Sequence, residues 1–252
     1  LAYIGKKPTD VPLTAGDIPN DGISESKIAD NAVESEHLND NVISGQTALG
    51  ATPADTDELL VSDAGTIKRV DFSHIKGGGK NALLHTVTAS DVASVTFNNT
   101  YLTSTYRDYL FTWSNVHSAN DNVQYLLKIS TDNGSSFKND NDHREAGIGL
   151  ASNSGSPLQQ QGDSNTSFVI APNNLGAGTG ENSSGYITFF DILGTDNFKQ
   201  WLGRTQYTKA DGASDHFVLA GEYKKVGALN TIRFDMSAGN ISSGVFKIYG
   251  VT

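Results

Sequence analysis

The chain has 252 residues, a formal net charge of −10 and a pI of about 4.9, so its acidic surface argues against nucleic-acid binding. It has no cysteine, which excludes disulfides, thiolate catalysis and zinc–thiolate sites. No apolar run approaches the roughly 18 residues that a membrane-spanning helix needs. The 26 glycines and many small polar residues favour short strands and turns over helices.

Residues 1–22 are rich in proline and show almost no periodicity. Proline fixes φ and pushes the preceding residue into extended geometry, so this segment has little means to bury surface by itself. It is either a disordered leader or an extended arm that orders on a partner. Its spaced apolar residues favour the arm, and we expect them to dock on that partner: Tyr3, Ile4, Val11, Leu13 and Ile18.

Residues 23–76 contain a ten-residue repeat, in which residues 24–33 align with residues 34–43. Ten residues rotate an ideal helix by about 280° beyond whole turns, so the apolar positions do not form a coiled-coil stripe. We interpret each unit as a short capped turn, an Asp-Asn turn and an apolar residue. Stacked repeats normally need three or more copies, which threefold association of chains would supply. The alternative is a fortuitous pair of amphipathic turns.

The stretch DELLVSDAGTIKRVDFSHIKGGGK, residues 57–80, predicts a tight β-hairpin around Gly65, a capped turn at residues 71–75 and a glycine hinge at residues 77–80. A lone hairpin is marginal in water, so we expect it to pack against its own copies around a threefold axis. The predicted contacts of this trimeric stalk are Ile23, Ile28, Val33, Leu38, Ile43, Leu59, Val61, Ile67 and Val70.

Residues 81–252 predict an all-β head domain, a β-sandwich of jelly-roll type. Alternation is clear in TIRFDM, where Ile232, Phe234 and Met236 share one face. Asn133-Gly134 and Asp211-Gly212 mark turns. The predicted strands are Leu84–Thr88, Ser94–Phe97, Tyr109–Trp113, Gln124–Ser130, Ser167–Ala171, Tyr186–Ile192, Trp201–Tyr207, Phe217–Tyr223, Thr231–Met236 and Val245–Tyr249.

The sequence contains no motif that indicates catalysis or a cofactor. GSP at residues 155–157 lacks the second glycine of a nucleophile elbow, GGGK at residues 77–80 lacks the spacing of a phosphate-binding loop, and GAGTG at residues 176–180 opens no helix. Asn139–His143 offers oxygen ligands for calcium but lacks the EF-hand order, so a solvated loop is favoured over a metal site. Paired carboxylates for glycoside hydrolysis stay open, because any two of 28 acidic residues could face a cleft. We expect a protein that binds without catalysis.

Aromatic side chains that stack on sugar rings are the candidates for receptor binding. Beside them, polar residues would supply hydrogen bonds. The predicted receptor-binding residues are Trp201, Tyr207, Asp211, Trp113 and Asn120. The alternative is that both tryptophans belong to the core.

Taken with these features, the sequence resembles tail fibres and related virion fibres of tailed bacteriophages, including marine ones. AYIGKKPTDVPLTAGDI is similar to their virion-docking start, SESKIADNAVESEHLNDNVI to their stalk repeats, DELLVSDAGTIKRVDFSHI to a hairpin module, and GVFKIYGVT to the last strand of their heads. The resemblance implies a homotrimer, made in the host cytoplasm and carried on the outside of the tail or capsid.

In that case residues 1–22 bind other virion proteins, residues 23–76 form the stalk, and residues 81–252 bind a host-surface glycan or protein. The stalk is short, which leaves open a short spike, a head fibre or a tail-associated adaptor. A decoration or adaptor protein of the capsid or tail, without a receptor role, is the alternative within the virion, and a glycan-degrading tail spike is the alternative from another class.

Overall fold

The computed structural model describes residues 16, 18–19, 22–30, 32–34, 37–51, 53–75 and 81–251. The chain divides into two units, Leu1–His74 and Ile75–Thr252. The protein is all-β, with large antiparallel sheets, and its helical elements among the described residues are short 3-10 turns. Four residues of the predicted arm, Tyr3, Ile4, Val11 and Leu13, and the predicted hinge lie outside the described residues.

The described strands are β1 Glu58–Asp63, β2 Thr66–Asp71, β3 Asn81–Val92, β4 Ser94–Phe97, β5 Asp108–Ser118, β6 Val123–Ser130, β7 His143–Ala151, β8 Pro157–Asn165, β9 Phe168–Leu175, β10 Ser183–Phe190, β11 Lys199–Thr208, β12 Ser214–Tyr223, β13 Thr231–Met236 and β14 Ile241–Val251. The 3-10 turns are Glu25–Lys27 and Phe72–His74.

The ten-residue repeat of the first unit is also a repeat of backbone hydrogen bonds. The amide of Lys27 donates to the carbonyl of Ser24 at 2.9 Å, and ten residues later the amide of His37 donates to the carbonyl of Glu34 at 3.0 Å. Each bond closes the short turn that the sequence predicts at the start of a unit. The alignment of the two units therefore holds in the backbone as well as in the sequence.

The second turn of the unit occurs three times. Its hydrogen bonds run from Gly22 to Pro19 at 2.8 Å, from Ala32 to Ala29 at 3.0 Å and from Val42 to Asn39 at 2.9 Å. The repeat therefore begins within the segment predicted as the arm, and Ile18 aligns with Ile28 and Leu38. All three side chains are exposed, so Ile18 shares both the alignment and the exposure of the repeat residues.

The predicted hairpin is confirmed. Strands β1 and β2 pair from Glu58 opposite Asp71 to Asp63 opposite Thr66, which leaves a two-residue connection. Ala64 and Gly65 have φ of 50° and 84°, the left-handed pair of a type I′ turn, and glycine takes such a φ without strain. The predicted capped turn follows as Phe72–His74.

Two antiparallel sheets form the second unit. One has eight strands in the order β3-β14-β5-β10-β11-β12-β7-β8, and the other has four in the order β4-β13-β6-β9. Aromatic rings from both sheets meet in the core: the ring centroid of Phe234 on β13 lies 5.9 Å from that of Trp113 on β5 and 5.6 Å from that of Phe246 on β14. The sheets thus pack face to face over a core of large side chains.

Each of the ten predicted strands overlaps an observed strand, but β7 and β8 were not predicted. The segment Asn139–His143 leads directly into β7, and GSP at residues 155–157 leads into β8. Gly147 and Gly149 depress the β-propensity of β7, and a run of three glutamines does the same for β8. These strands form through pairing with their neighbours, and local preference contributes little.

Glycines on the inner side of the eight-stranded sheet make room for large side chains on adjacent strands. A Cβ at Gly221 would clash with the ring of Trp201, directly opposite on β11, and a Cβ at Gly149 would clash with Phe217 on β12. The missing side chains let these rings lie flat over the neighbouring strand. This packing makes glycine, a poor strand former, the required residue at these positions.

We predict that Gly221→Ala destabilises the protein by about 1–3 kcal/mol, because the added methyl overpacks the core against Trp201. Gly155→Ala is the matched control, since a Cβ there meets nothing within 4 Å. Urea unfolding followed by tryptophan fluorescence measures both changes, and equal stabilities for the two variants would contradict this packing.

Candidate binding face

The side of the eight-stranded sheet that points away from the aromatic core carries open grooves. One of about 560 Å³ crosses β10, β11, β12, β7 and β8 beside Phe190 and Leu202. Another of about 310 Å³ lies beside Ile148 and Val218, and one of about 500 Å³ lies beside Tyr186. Small-molecule sites occupy roughly 300–1,000 Å³, so this side of the sheet is the candidate binding surface.

Strand register arranges the side chains on this side into three rows, which together we call the outer face. The first row is Leu83, Tyr249, Leu110, Thr188, Leu202, Ala220, Ala146 and Gln161. The second row is Thr86, Lys247, Thr112, Tyr186, Arg204, Val218, Ile148 and Gln159. The third row is Thr88, Val245, Ser114, Ser184, Gln206, His216, Leu150 and Pro157, with a β-bulge between Ser114 and Ser184.

The outer face contains no acidic residue, although the chain has 28. Its apolar side chains are unusually exposed: Ile148 is 58% exposed, Leu150 59%, Leu202 54% and Val218 46%. Hydroxyl and amide side chains lie between them. The surface is therefore amphipathic and uncharged except for its few basic groups.

A fourth row, next to the first on the same side of the sheet, borders the outer face and carries charged groups. Gln200 donates to the Glu222 carboxylate at 3.1 Å, and Arg144 Nε lies 2.6 Å from a carboxylate oxygen of Asp163. Phe190, 39% exposed, stands at the end of this row beside Gln200. The acidic groups bordering the largest of these grooves thus already have partners.

A buried carboxylate fixes β8 and β9 to β7 beneath this end of the sheet. Glu145 is 5% exposed and accepts hydrogen bonds from the amide of Val169 at 2.6 Å and from the side chains of Gln160 at 2.9 Å and Asn165 at 3.1 Å. Burial raises the pKa of Glu145 to about 6, although these donors favour its charged form. The group therefore changes charge in mildly acidic solution.

The segment considered for calcium is engaged with the protein itself. The Asp140 carboxylate accepts from the Tyr223 hydroxyl and from Lys225 Nζ, each at 2.8 Å. His143 is fully buried against Phe168 and Tyr223, and burial lowers the pKa of its imidazole. Among the described residues, no group of three or more ligating side chains is gathered for a metal ion.

Three of the predicted receptor-binding residues are wrong. Trp113, Trp201 and Tyr207 are 1–2% exposed and belong to the core, so their rings have no free face for a sugar. In β11, residues 201, 203, 205 and 207 point inward, which puts the alternate set outward. The alternative considered for the tryptophans, a place in the core, is the correct one.

The other two predicted residues, Asn120 and Asp211, are exposed in turns and do not belong to the rows of the outer face. Their neighbours contact the end of β9 and the connection after it: the amide of Ala177 in that connection donates to Asp121 at 2.6 Å, and the amide of Ala210 donates to the carbonyl of Asn174 in β9 at 3.0 Å. The structure thus brings these two turns to the same end of β9 and leaves the aromatic candidates in the interior.

Comparison with known proteins adds no assignment, since no family model, curated protein or solved structure matches the chain. No helix among the described residues has the length and apolar character required to cross a membrane.

We predict that Glu145→Gln changes the pH dependence of stability. A folded-state pKa raised from 4.5 to about 6 favours folding most below pH 4.5, and this contribution is lost as the pH rises through 6. Between pH 4.5 and 7 the stability of the wild type should therefore fall relative to that of the variant, by up to about 2 kcal/mol. Urea unfolding at several pH values measures the difference, and parallel curves would contradict the assignment.

Proposed function

We propose that this protein is a phage virion structural protein, a short homotrimeric tail fibre or spike. Its N-terminal arm docks on the particle, and its jelly-roll head binds a glycan on the host surface. The observation that carries the proposal is the exposed apolar surface of the first unit, whose described residues bury no side chain.

No described side chain between residues 16 and 75 is buried. The exposed large apolar residues of this region are 38–84% accessible, and include Ile18, Ile23, Ile28, Val33, Leu38, Val42, Ile43, Leu49, Leu59, Leu60, Val61, Ile67 and Ile75. Burying one such side chain stabilises a protein by about 1.5–3 kcal/mol. A unit with no interior of its own gains order by sharing this surface with other chains.

The predicted stalk contacts fit this arrangement. Eight of the nine, all except Val70, are among the exposed apolar residues, and Val70 is half-buried. Repeated units that cannot bury an apolar face alone are stabilised by stacked neighbours. Threefold association, which the resemblance to phage fibres implies, supplies such neighbours around one axis.

The strand pairing of the second unit supports a jelly-roll head. Eight strands form one long hairpin that is folded over two sheets. Its four nested antiparallel pairs are β3 with β14, β4 with β13, β5 with β10 and β6 with β9. Their orders, β3-β14-β5-β10 and β4-β13-β6-β9, are those of a jelly roll, a fold found in viral and lectin domains. The hairpins β7–β8 and β11–β12 are insertions that widen the first sheet.

The outer face supports the binding role. Its hydroxyl and amide groups match the hydrogen-bonding groups of sugars, and Tyr186, 43% exposed, offers an aromatic ring beside them. Three heads on one stalk present three such faces at once. Linked weak sites of this kind gain roughly 10²–10⁴ in avidity.

One set of experiments separates this role from its alternatives. Light scattering of the purified chain should give three times the mass of the 26.8 kDa chain, and the protein should bind host-surface polysaccharide saturably without creating reducing ends. New reducing ends would indicate a glycan-degrading spike. A trimer that binds no host material but is found on the particle by imaging would be a decoration or adaptor protein.

We predict that Ile28→Asp raises the concentration at which the trimer dissociates at least tenfold, because a carboxylate then replaces apolar surface at the contact. Ser26→Asp adds the same charge at an exposed polar position of the same turn and should leave the trimer intact. Native mass spectrometry over a dilution series compares them, and equal behaviour of the two variants would count against a stalk held by these residues.

A further inference from the structure

The two cations of the outer face lack the ion pairs that most other basic side chains of the described head make. Arg144, Lys128, Lys209 and Lys225 each lie within 4 Å of a carboxylate oxygen. Arg204 and Lys247 have no such partner among the described residues. The three rows of the outer face also offer them no acidic residue at any position. These two charges are thus available to a ligand.

The two cations lie in one row across the sheet. From Lys247 on β14 the register runs to Thr112 on β5, Tyr186 on β10 and Arg204 on β11. Three strand spacings separate the backbones of the two basic residues, or about 14–15 Å. Tyr186 lies directly opposite Arg204 and between the two charges, with a hydroxyl and a ring open to solvent.

We propose that the outer face binds an anionic polysaccharide, carboxylated or sulfated, with acidic groups on Arg204 and Lys247 and a sugar ring against Tyr186. This inference rests on the proposed receptor-binding role and specifies its ligand class. Charge carries it: in a protein of net charge −10, three successive side-chain rows contain no acidic residue and carry two unpaired cations, and the carboxylates of the adjoining fourth row, Glu222 and Asp163, already have partners.

The same charges disfavour a second copy as the occupant. Two outer faces pressed together would bring four unpaired cations into one contact, and the carboxylates of the adjoining fourth row, Glu222 and Asp163, are already engaged by Gln200 and Arg144. A polyanion, by contrast, supplies the missing partners and leaves the hydroxyl and amide groups between them to the sugar hydroxyls.

The test compares dextran sulfate and carboxymethyl dextran with unmodified dextran, using the full-length protein. We expect saturable binding of at least one anionic polymer, no binding of dextran, and weaker binding at high salt because exposed charges are screened. The double variant Arg204→Gln/Lys247→Gln should lower the affinity by about threefold to tenfold, the range for two exposed ion pairs. The control double variant Lys138→Gln/Lys224→Gln removes the same amount of charge outside the outer face and should change the affinity less than twofold.

The inference would be overturned if the protein showed no preference for the anionic polymers, or if the control double variant lost as much affinity. It would also be overturned if Val218→Asp dissociated the trimer and left polymer binding unchanged, because the outer face would then be an interface between copies. A trimer that adheres to host cells as well after the Arg204 and Lys247 changes as before would retain the proposed function and lose only this ligand class. A monomeric chain that binds no host surface would lose the proposed function itself.

Discussion

The first unit is constrained by its exposed apolar surface, which its described residues do not bury. Its turns repeat every ten residues and its hairpin has a well-formed I′ connection, yet none of its described side chains is buried. Backbone hydrogen bonds in solvent contribute little net stability, and a two-stranded sheet alone is marginal. The isoleucines, leucines and valines of this unit therefore supply its stability only when another surface covers them.

The second unit has the opposite arrangement, because its large side chains are buried in a core and some of them lie over glycines of the adjacent strand. Rings such as Trp201 and Phe217 lie over glycines of the adjacent strand, and this pairing continues through the inserted hairpins. The insertions extend the sheet to eight strands, about 33 Å across at the usual strand spacing. The inserted hairpins thus give each side-chain row of the outer face eight positions, where a four-stranded sheet would give four.

Sequence patterns identified the hairpin and most strands because those elements are specified locally. TIRFDM alternates cleanly, and Asp-Ala-Gly between two short apolar runs indicates a turn at Gly65. β7 escaped prediction because its glycines suit the sheet only through Leu219 and Phe217 on the neighbouring strand, and the glutamines of β8 carry no strand signal of their own. Propensity does not contain that information.

The binding residues were mispredicted for a related reason. In β11 both alternating sets include polar or small residues, so period two shows that Trp201 and Tyr207 share a face but not that the face is internal. The absence of acid from the outer face is a property of eight strands in register. It becomes visible only when the strand order places residues from β3 to β8 side by side.

The central claim is tested most directly by hydrogen exchange of the β1–β2 hairpin in the purified protein. The mass of the protein in solution is measured at the same time over a dilution series. If sister copies cover the apolar residues of the first unit, the amides of residues 58–71 are protected at concentrations where three chains associate, and they exchange freely once the chains separate. A single-copy species whose hairpin amides stay protected would contradict the account.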